Sequence, residues 1–182
     1  LGIETEDYYL NKKNNDLKII KSDLYKFSKN KKNQNKFDLI IMSHTFEHFP
    51  KPINVLECLK KLLNKNGQCL IIVPNINSNF SKFSNRYWGW LQPAAHFFHF
   101  SKRSISKIFK RANFRYKLIS ENGGDSLLLV LTIINMLKIN YYRLGNSKNN
   151  KLRNFFVAIF SSIFKYIYYF GNDEIVYLIK KK

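Results

Sequence analysis

The chain has 182 residues, a formal charge of +19 from 31 Lys and Arg against 12 Asp and Glu, and an apolar share of 45%, which suits one packed domain. Its two cysteines, Cys58 and Cys69, form no C-x-x-C pair; that excludes a disulfide framework and fits a reducing, cytoplasmic compartment. Such a positive balance ordinarily points to nucleic acid or an anionic membrane, but Lys greatly outnumbers Arg, and the runs KNKKNQNK and NSKNNK read as solvated loops rather than a nucleic-acid groove.

The text opens on Leu1, with no charged leader or cleavage-site pattern ahead of it, and a preceding segment is expected. LGIE is a short apolar strand ending in an acid, and TEDYYLNKK, with Thr5 as N-cap, continues as a helix. LKII (17–20) is a second strand closing at Ser22-Asp23-Leu24, and 29–36 is a loop. FDLIIM (37–42) is a near-continuous apolar run, expected to be a central strand covered on both faces.

After Pro50 and Pro52, Ile53, Leu56, Leu59 and Leu63 share one helical face, and Asn66-Gly67 is expected to end that helix in a left-handed residue. CLIIV (69–73) is the next strand, stopped by Pro74-Asn75. This alternation predicts an α/β fold with a doubly wound, mostly parallel sheet. Residues 77–99 form a long polar and aromatic loop whose length argues for function. Ser101 caps a helix bearing Ile105, Ile108, Phe109 and Ala112, and FRYKLIS follows as a strand. Residues 126–170 hold two apolar runs, neither reaching the ~18 to 20 unbroken residues of a membrane span. They read as an apolar helical insertion that packs on the core or touches the inner face of the membrane, before the closing strand in GNDEIVYLIKKK. The whole of 1–182 is taken as one domain.

In open α/β sheets a ligand sits beyond the carboxyl ends of the strands, which singles out Glu4, Asp23 with Leu24, Ser43 with His44, and Pro74 with Asn75. A carboxylate at Glu4 can accept both hydrogen bonds of a ribose diol, or simply cap the next helix. Asp23 can accept from an exocyclic adenine amine, or cap a turn. His44-Thr45-Phe46-Glu47-His48 also matches the inverted zinc-peptidase pattern H-x-x-E-H, the basis of an alternative reading as a zinc-dependent hydrolase. That pattern needs a long helix, whereas here it follows a buried strand and meets Pro50 and Pro52 at once. His96 and His99 could complete a metal cluster, but their i, i+3 spacing in an aromatic loop suits packing or substrate contact equally, and no metal set is assigned. A noncatalytic basic module binding membrane or nucleic acid is the other alternative.

The run FDLIIMSHTFEHFPKPINVLECLKKLLNKNGQCLIIVPN is similar to the core of the class I S-adenosylmethionine-dependent methyltransferases: an FD-apolar strand, a Glu-His pair, proline, an amphipathic helix, Asn-Gly, and a strand ending Pro-Asn. WLQPAAHFFHFSKRSISKIFKRANF resembles the second block of that group, and GNDEIVYLIKKK its closing strand. Together these blocks cover about two thirds of the chain. The resemblance implies a Rossmann-like sheet whose first strand and Gly-rich turn would lie ahead of Leu1, and S-adenosyl-L-methionine as cofactor. It makes Glu4 the ribose ligand, sets Asp23 and Leu24 beside the adenine, and puts Ser43 and His44 on the methionine side. The acceptor pocket is then expected around His44, His48, Tyr87, Trp88, Trp90, His96 and His99, with His44 or His99 as catalytic base because imidazole titrates near neutrality. The acceptor is expected to be a small molecule, sugar or lipid-linked compound.

Overall fold

A computed structural model describes residues 1–5, 18–122, 132 and 172–182. The expected helix over TEDYYLNKK and the apolar insertion at 126–170 lie outside the described residues, Thr5 and Thr132 aside.

Strand β1 (Gly2–Glu4) pairs in parallel with β2 (Ile19–Lys21), Gly2 opposite Ile19 and Glu4 opposite Lys21. Helix α1 (Leu24–Lys29) follows immediately, because the Asp23 carboxylate accepts a 2.8 Å hydrogen bond from the Lys26 N–H. A six-residue helix shows too little periodicity to be read in the sequence, where the strand LKII closes at Ser22-Asp23-Leu24 and no helix is assigned after it. The Lys- and Asn-rich stretch after it holds a short 3-10 turn, Lys31–Asn33, capped by Asn30.

A second sheet carries β3 (Phe37–Ser43), β4 (Leu63–Pro74), β5 (Phe114–Asn122) and β6 (Glu174–Lys181) in the order β3-β4-β6-β5. β3 and β4 are parallel, and β6 lies antiparallel between β4 and β5, so three of these four strands share a direction. The result is the expected Rossmann-like, mostly parallel α/β architecture. Helix α2 (Pro52–Leu62) packs on α1 and on α4 (Lys102–Arg111), forming one helical layer. Val55, Leu56, Leu59 and Leu62 on α2 meet Cys69, Ile71 and Val73 on β4 and Ile175, Tyr177 and Ile179 on β6 in a single core. Ser101 and Ser104 close the reciprocal capping box at the start of α4.

Three expectations need correction. β3 is an edge strand of its sheet among the described residues, not a central one: β1 and β2 pair with each other, and Leu39 and Ile41 are 52% and 60% exposed. Apolarity reports the surroundings a strand suits, not which neighbours reach it. Asn66-Gly67 does not terminate α2 in a left-handed turn. The helix stops at Leu62, Leu63 is already extended (φ −65°, ψ 139°), and Gly67 lies inside β4. There the β3–β4 register slips from Phe37 opposite Leu63 to Leu39 opposite Gln68, and a Cβ on Gly67 would come within 2.5 Å of the Phe37 carbonyl oxygen. The glycine serves close approach rather than positive φ. Finally, the aromatic loop is not uniformly irregular: helix α3 (Asn79–Ser84), capped by Ser78, and a 3-10 turn, Asn85–Tyr87, occupy its first part.

Candidate functional site

β3 ends at Ser43, and the chain turns sharply through His44, whose φ of 46° is left-handed, into a 3-10 turn, Phe46–His48. Phe46 anchors that turn: it is fully buried and stacks on Phe100 at 5.5 Å. The turn separates two groups of residues.

On one side lies a cavity of about 490 Å³ between the β1–β2 pair and β3. Glu4, Thr5, Ser22, Leu24, Met42, Thr45 and Phe49 are among the residues lining it. Glu4 ends β1 and accepts a hydrogen bond from the Thr5 N–H at 2.7 Å. Asp23 does not line the cavity. Its carboxyl caps α1 and pairs with Lys26 at 3.5 Å, and the Lys26 N–H holds it below the usual carboxylate range. The structure therefore gives Asp23 the capping role, while Glu4 and Leu24 face the cavity. Ser43 is exposed, and its carbonyl accepts from the Thr45 hydroxyl at 2.8 Å.

On the other side the turn meets the aromatic loop. His44 stacks on Trp90, with 4.8 Å between rings, and its Nε2 is 3.0 Å from Glu174 Oε1. Its Nδ1 lies 3.7 Å from Glu47 Oε1. Glu47 is fully buried, and no donor from another described residue hydrogen-bonds either carboxylate oxygen. Burial pushes its pKa up, against the attraction of His44 and His48. His48 Nδ1 donates to the Ala95 carbonyl at 2.9 Å, and His96 Nδ1 to the Trp90 carbonyl at 2.9 Å. Burial lowers the His96 pKa to about 4, so its ring is neutral near pH 7, and burial also lowers that of His99. The Glu47 carbonyl accepts from the Phe97 and Phe98 N–H groups, at 3.0 and 3.3 Å, pinning the loop to the turn.

Of the residues expected at an acceptor pocket, His44, His48, Trp90, His96 and His99 come together. Trp88 is fully buried, 6.3 Å from His99, and belongs to the packing beneath the cluster. Tyr87 faces Arg86, whose guanidinium lies 4.9 Å from its ring. The adjoining Gly89 N–H donates to the Thr132 hydroxyl at 2.9 Å. The H-x-x-E-H pattern lies on a 3-10 turn rather than a helix, and His44 turns toward Glu174, so its two histidines do not form the helical pair a zinc peptidase uses.

Sequence reasoning missed Glu174, 130 positions from His44. An antiparallel strand inserted beside a parallel one starts where its neighbour ends, and Glu174 sits opposite Pro74 at the carboxyl end of β4. The acid at the head of GNDEIVYLIKKK was the available signal.

A family model described as a methyltransferase domain matches residues 5–118. No curated protein matches the chain. Among solved structures, the chain is similar to a SAM-dependent methyltransferase from Archaeoglobus fulgidus (TM-score 0.61, 16% identity), covering 99% of this chain and 75% of that one. It is similar also to a SAM-dependent methyltransferase from Thermotoga maritima, described as a possible histamine N-methyltransferase (TM-score 0.62, 11% identity; 100% of this chain, 73% of that one). A third is the Haemonchus contortus phosphoethanolamine N-methyltransferase 2, in complex with phosphomonomethylethanolamine and S-adenosylhomocysteine (TM-score 0.51, 14% identity). That match covers 82% of this chain, which spans about a third of the other (34%). At these identities the likeness is one of fold.

Proposed function

From the premise that the chain belongs to the class I S-adenosylmethionine-dependent methyltransferases, we propose that the cavity beside β1 and β3 holds the cofactor and that the His44–Trp90 cluster receives the methyl acceptor. The observation that carries this reading is the cavity itself, which runs along β1 and β3 and carries one carboxylate, Glu4, at the carboxyl end of β1 within a largely apolar wall. Those residues fit the cofactor: Glu4 offers the two acceptor oxygens a ribose diol needs, and Leu24, Met42 and Phe49 offer apolar surface to its adenine. When bound, the cofactor supplies a sulfonium-activated methyl group for in-line displacement.

The chain's own residues bind, orient and handle protons. His44 has its Nδ1 covered and its Nε2 hydrogen-bonded to Glu174 Oε1, so a proton released by the acceptor passes to the Glu174 carboxylate, which the imidazole holds in place. The Trp90 ring fixes the imidazole plane by stacking on it. An acceptor with a partly apolar body, a small molecule or a lipid-linked compound, suits the aromatic surroundings, where Phe97, whose N–H donates to the Glu47 carbonyl, is 65% exposed. Peripheral contact with the cytoplasmic face of a membrane belongs to the same proposal. Among the described residues no helix is long and apolar enough to cross a membrane.

Isothermal calorimetry with S-adenosylhomocysteine tests the cofactor half. The chain is expected to bind one equivalent, and Glu4→Ala to weaken binding by about 10- to 100-fold, the loss of one or two charge-assisted hydrogen bonds. A folded chain with no affinity, or an affinity indifferent to Glu4→Ala, overturns it. For an acceptor that turns over, Glu174→Gln should lower kcat, and an unchanged kcat overturns the proton-accepting role of the pair.

A further inference from the structure

We propose that Glu47, His48 and His96 form a binding site for one divalent transition-metal ion of the zinc class, separate from the cofactor cavity. One donor atom from each of the three lies within 4.8 Å of the other two. A shared ion with ligands at about 2.0 to 2.2 Å needs donors ~3.3 Å apart in tetrahedral geometry, so small side-chain rotations suffice.

Two further observations point to a metal rather than to ordinary packing. Glu47 is fully buried, with neither oxygen hydrogen-bonded by another described residue; His44 Nδ1, at 3.7 Å, lies beyond hydrogen-bond distance. A buried carboxylate that takes no donor from another residue is costly unless something positive meets it. Both histidines send Nδ1 to a main-chain carbonyl, His48 to Ala95 and His96 to Trp90, each at 2.9 Å. A carbonyl can only accept, so Nδ1 carries the hydrogen in each ring and Nε2 keeps its lone pair. That is the tautomer a metal requires, oriented by the outer hydrogen bond that metal-ligating histidines typically make.

The scaffold is stapled as well. The Glu47 carbonyl takes the Phe97 and Phe98 N–H groups, joining the turn that carries Glu47 and His48 to the loop that carries His96. The three donors therefore do not depend on one flexible segment. His48 is exposed while Glu47 and His96 are buried, which brings the site to the surface on the His48 side. With three protein donors the ion retains at least one coordination position for water or an oxygen-bearing ligand. This ligand set differs from the H-x-x-E-H reading: Glu47 is a ligand rather than a base, His96 replaces His44, and no hydrolysis follows.

The chain, stripped with chelator and checked for fold by circular dichroism, should be titrated with Co²⁺ alone, followed by its visible ligand-field bands, and with Zn²⁺ alone by calorimetry. One equivalent of each is expected, Zn²⁺ displacing Co²⁺. Replacing a ligand should weaken binding at least as much as losing an outer-shell partner does, about 10- to 100-fold. His48→Asn tests this at an exposed position that does not threaten folding, Glu47→Gln at the buried one, and His44→Asn should leave the stoichiometry at one. No saturable uptake by the folded chain overturns the proposal. So does uptake that survives both His48→Asn and Glu47→Gln, or uptake lost in His44→Asn alone. S-adenosylhomocysteine affinity, measured separately, reports on the cofactor cavity whatever the metal result.

Discussion

Replacing His96 with Asn should flatten the chain's stability between pH 5 and 7. His96 is 6% exposed, and its pKa falls from 6.5 in a solvated chain to about 4 in the folded one. Between those values the unfolded chain binds a proton that the folded chain does not, so stability rises with pH. Below about pH 4 the penalty is complete; above 6.5 it vanishes. At pH 5 the two values imply a penalty of about 2 kcal/mol, against about 0.2 kcal/mol at pH 7. Burial of His99 adds a contribution of the same sign. Glu47 works oppositely: its raised pKa favours the folded chain while the carboxyl is protonated, and that benefit fades as pH rises. Urea unfolding at pH 5.0, 6.0 and 7.0, in chelator so that no ion occupies the ring, measures the slope. His96→Asn should lose about 2 kcal/mol of the wild-type difference between pH 5 and 7, whatever its constant cost for the lost ring. Equal slopes in the two proteins would refute the reasoning, for His96 would then titrate alike folded and unfolded.

Three further substitutions probe the frame. Gly67→Ala forces a Cβ to 2.5 Å from the Phe37 oxygen and 3.1 Å from the Asn64 nitrogen, both backbone atoms. After the gain from a stiffer unfolded chain it should cost about 1 to 2.5 kcal/mol in urea melts; Gly2→Ala, whose Cβ would sit 3.7 Å from Ile19 Cγ1, should be near neutral, and parity between the two would count against the close-approach argument. Phe46→Ala removes a fully buried ring stacked on Phe100 and should cost about 3 to 5 kcal/mol, seen as a large fall in the urea midpoint. Ser101→Ala opens the capping box of α4 and should cost about 1 kcal/mol, measurable by the same melts.

What the sequence made legible was local or periodic. The apolar face of α2, the Ser101 cap and the CLIIV strand are each specified by residues within one or two turns of one another, and each appears where it was expected, except that Leu63, expected on the helical face, opens β4. Candidate site positions were legible as a set of strand ends, since chain direction alone decides which end of a parallel strand is expected to carry function. Long-range choices were not. Nothing in FDLIIM tells which strand lies beside it, and nothing in Asn66-Gly67 separates a glycine needed for a left-handed turn from one needed for a close backbone approach. Asp23 shows the same ambiguity: an acid after a strand can meet a ligand or cap the next helix, and the Lys26 N–H it caps exists as a partner only once α1 forms.

The turn after β3 bears on both halves of the site. His44 has a Cβ and yet takes φ 46°, a conformation that costs about 1 to 2 kcal/mol outside glycine and asparagine. Glycine there would relieve the strain, so the imidazole must supply something that offsets it. Its contacts say what: Nε2 on Glu174, the ring on Trp90, and Nδ1 toward Glu47. One strained residue thus links the closing strand, the aromatic loop and the buried carboxylate, while Thr45 beside it lines the cavity. Glycine at position 44 should therefore relax the backbone yet release those contacts, loosening the aromatic loop while the cavity residues of β1 and β2 stay as they are. A strained turn kept by its side chain's contacts, rather than by its backbone preference, is the expected signature of a residue retained for the site rather than for the fold.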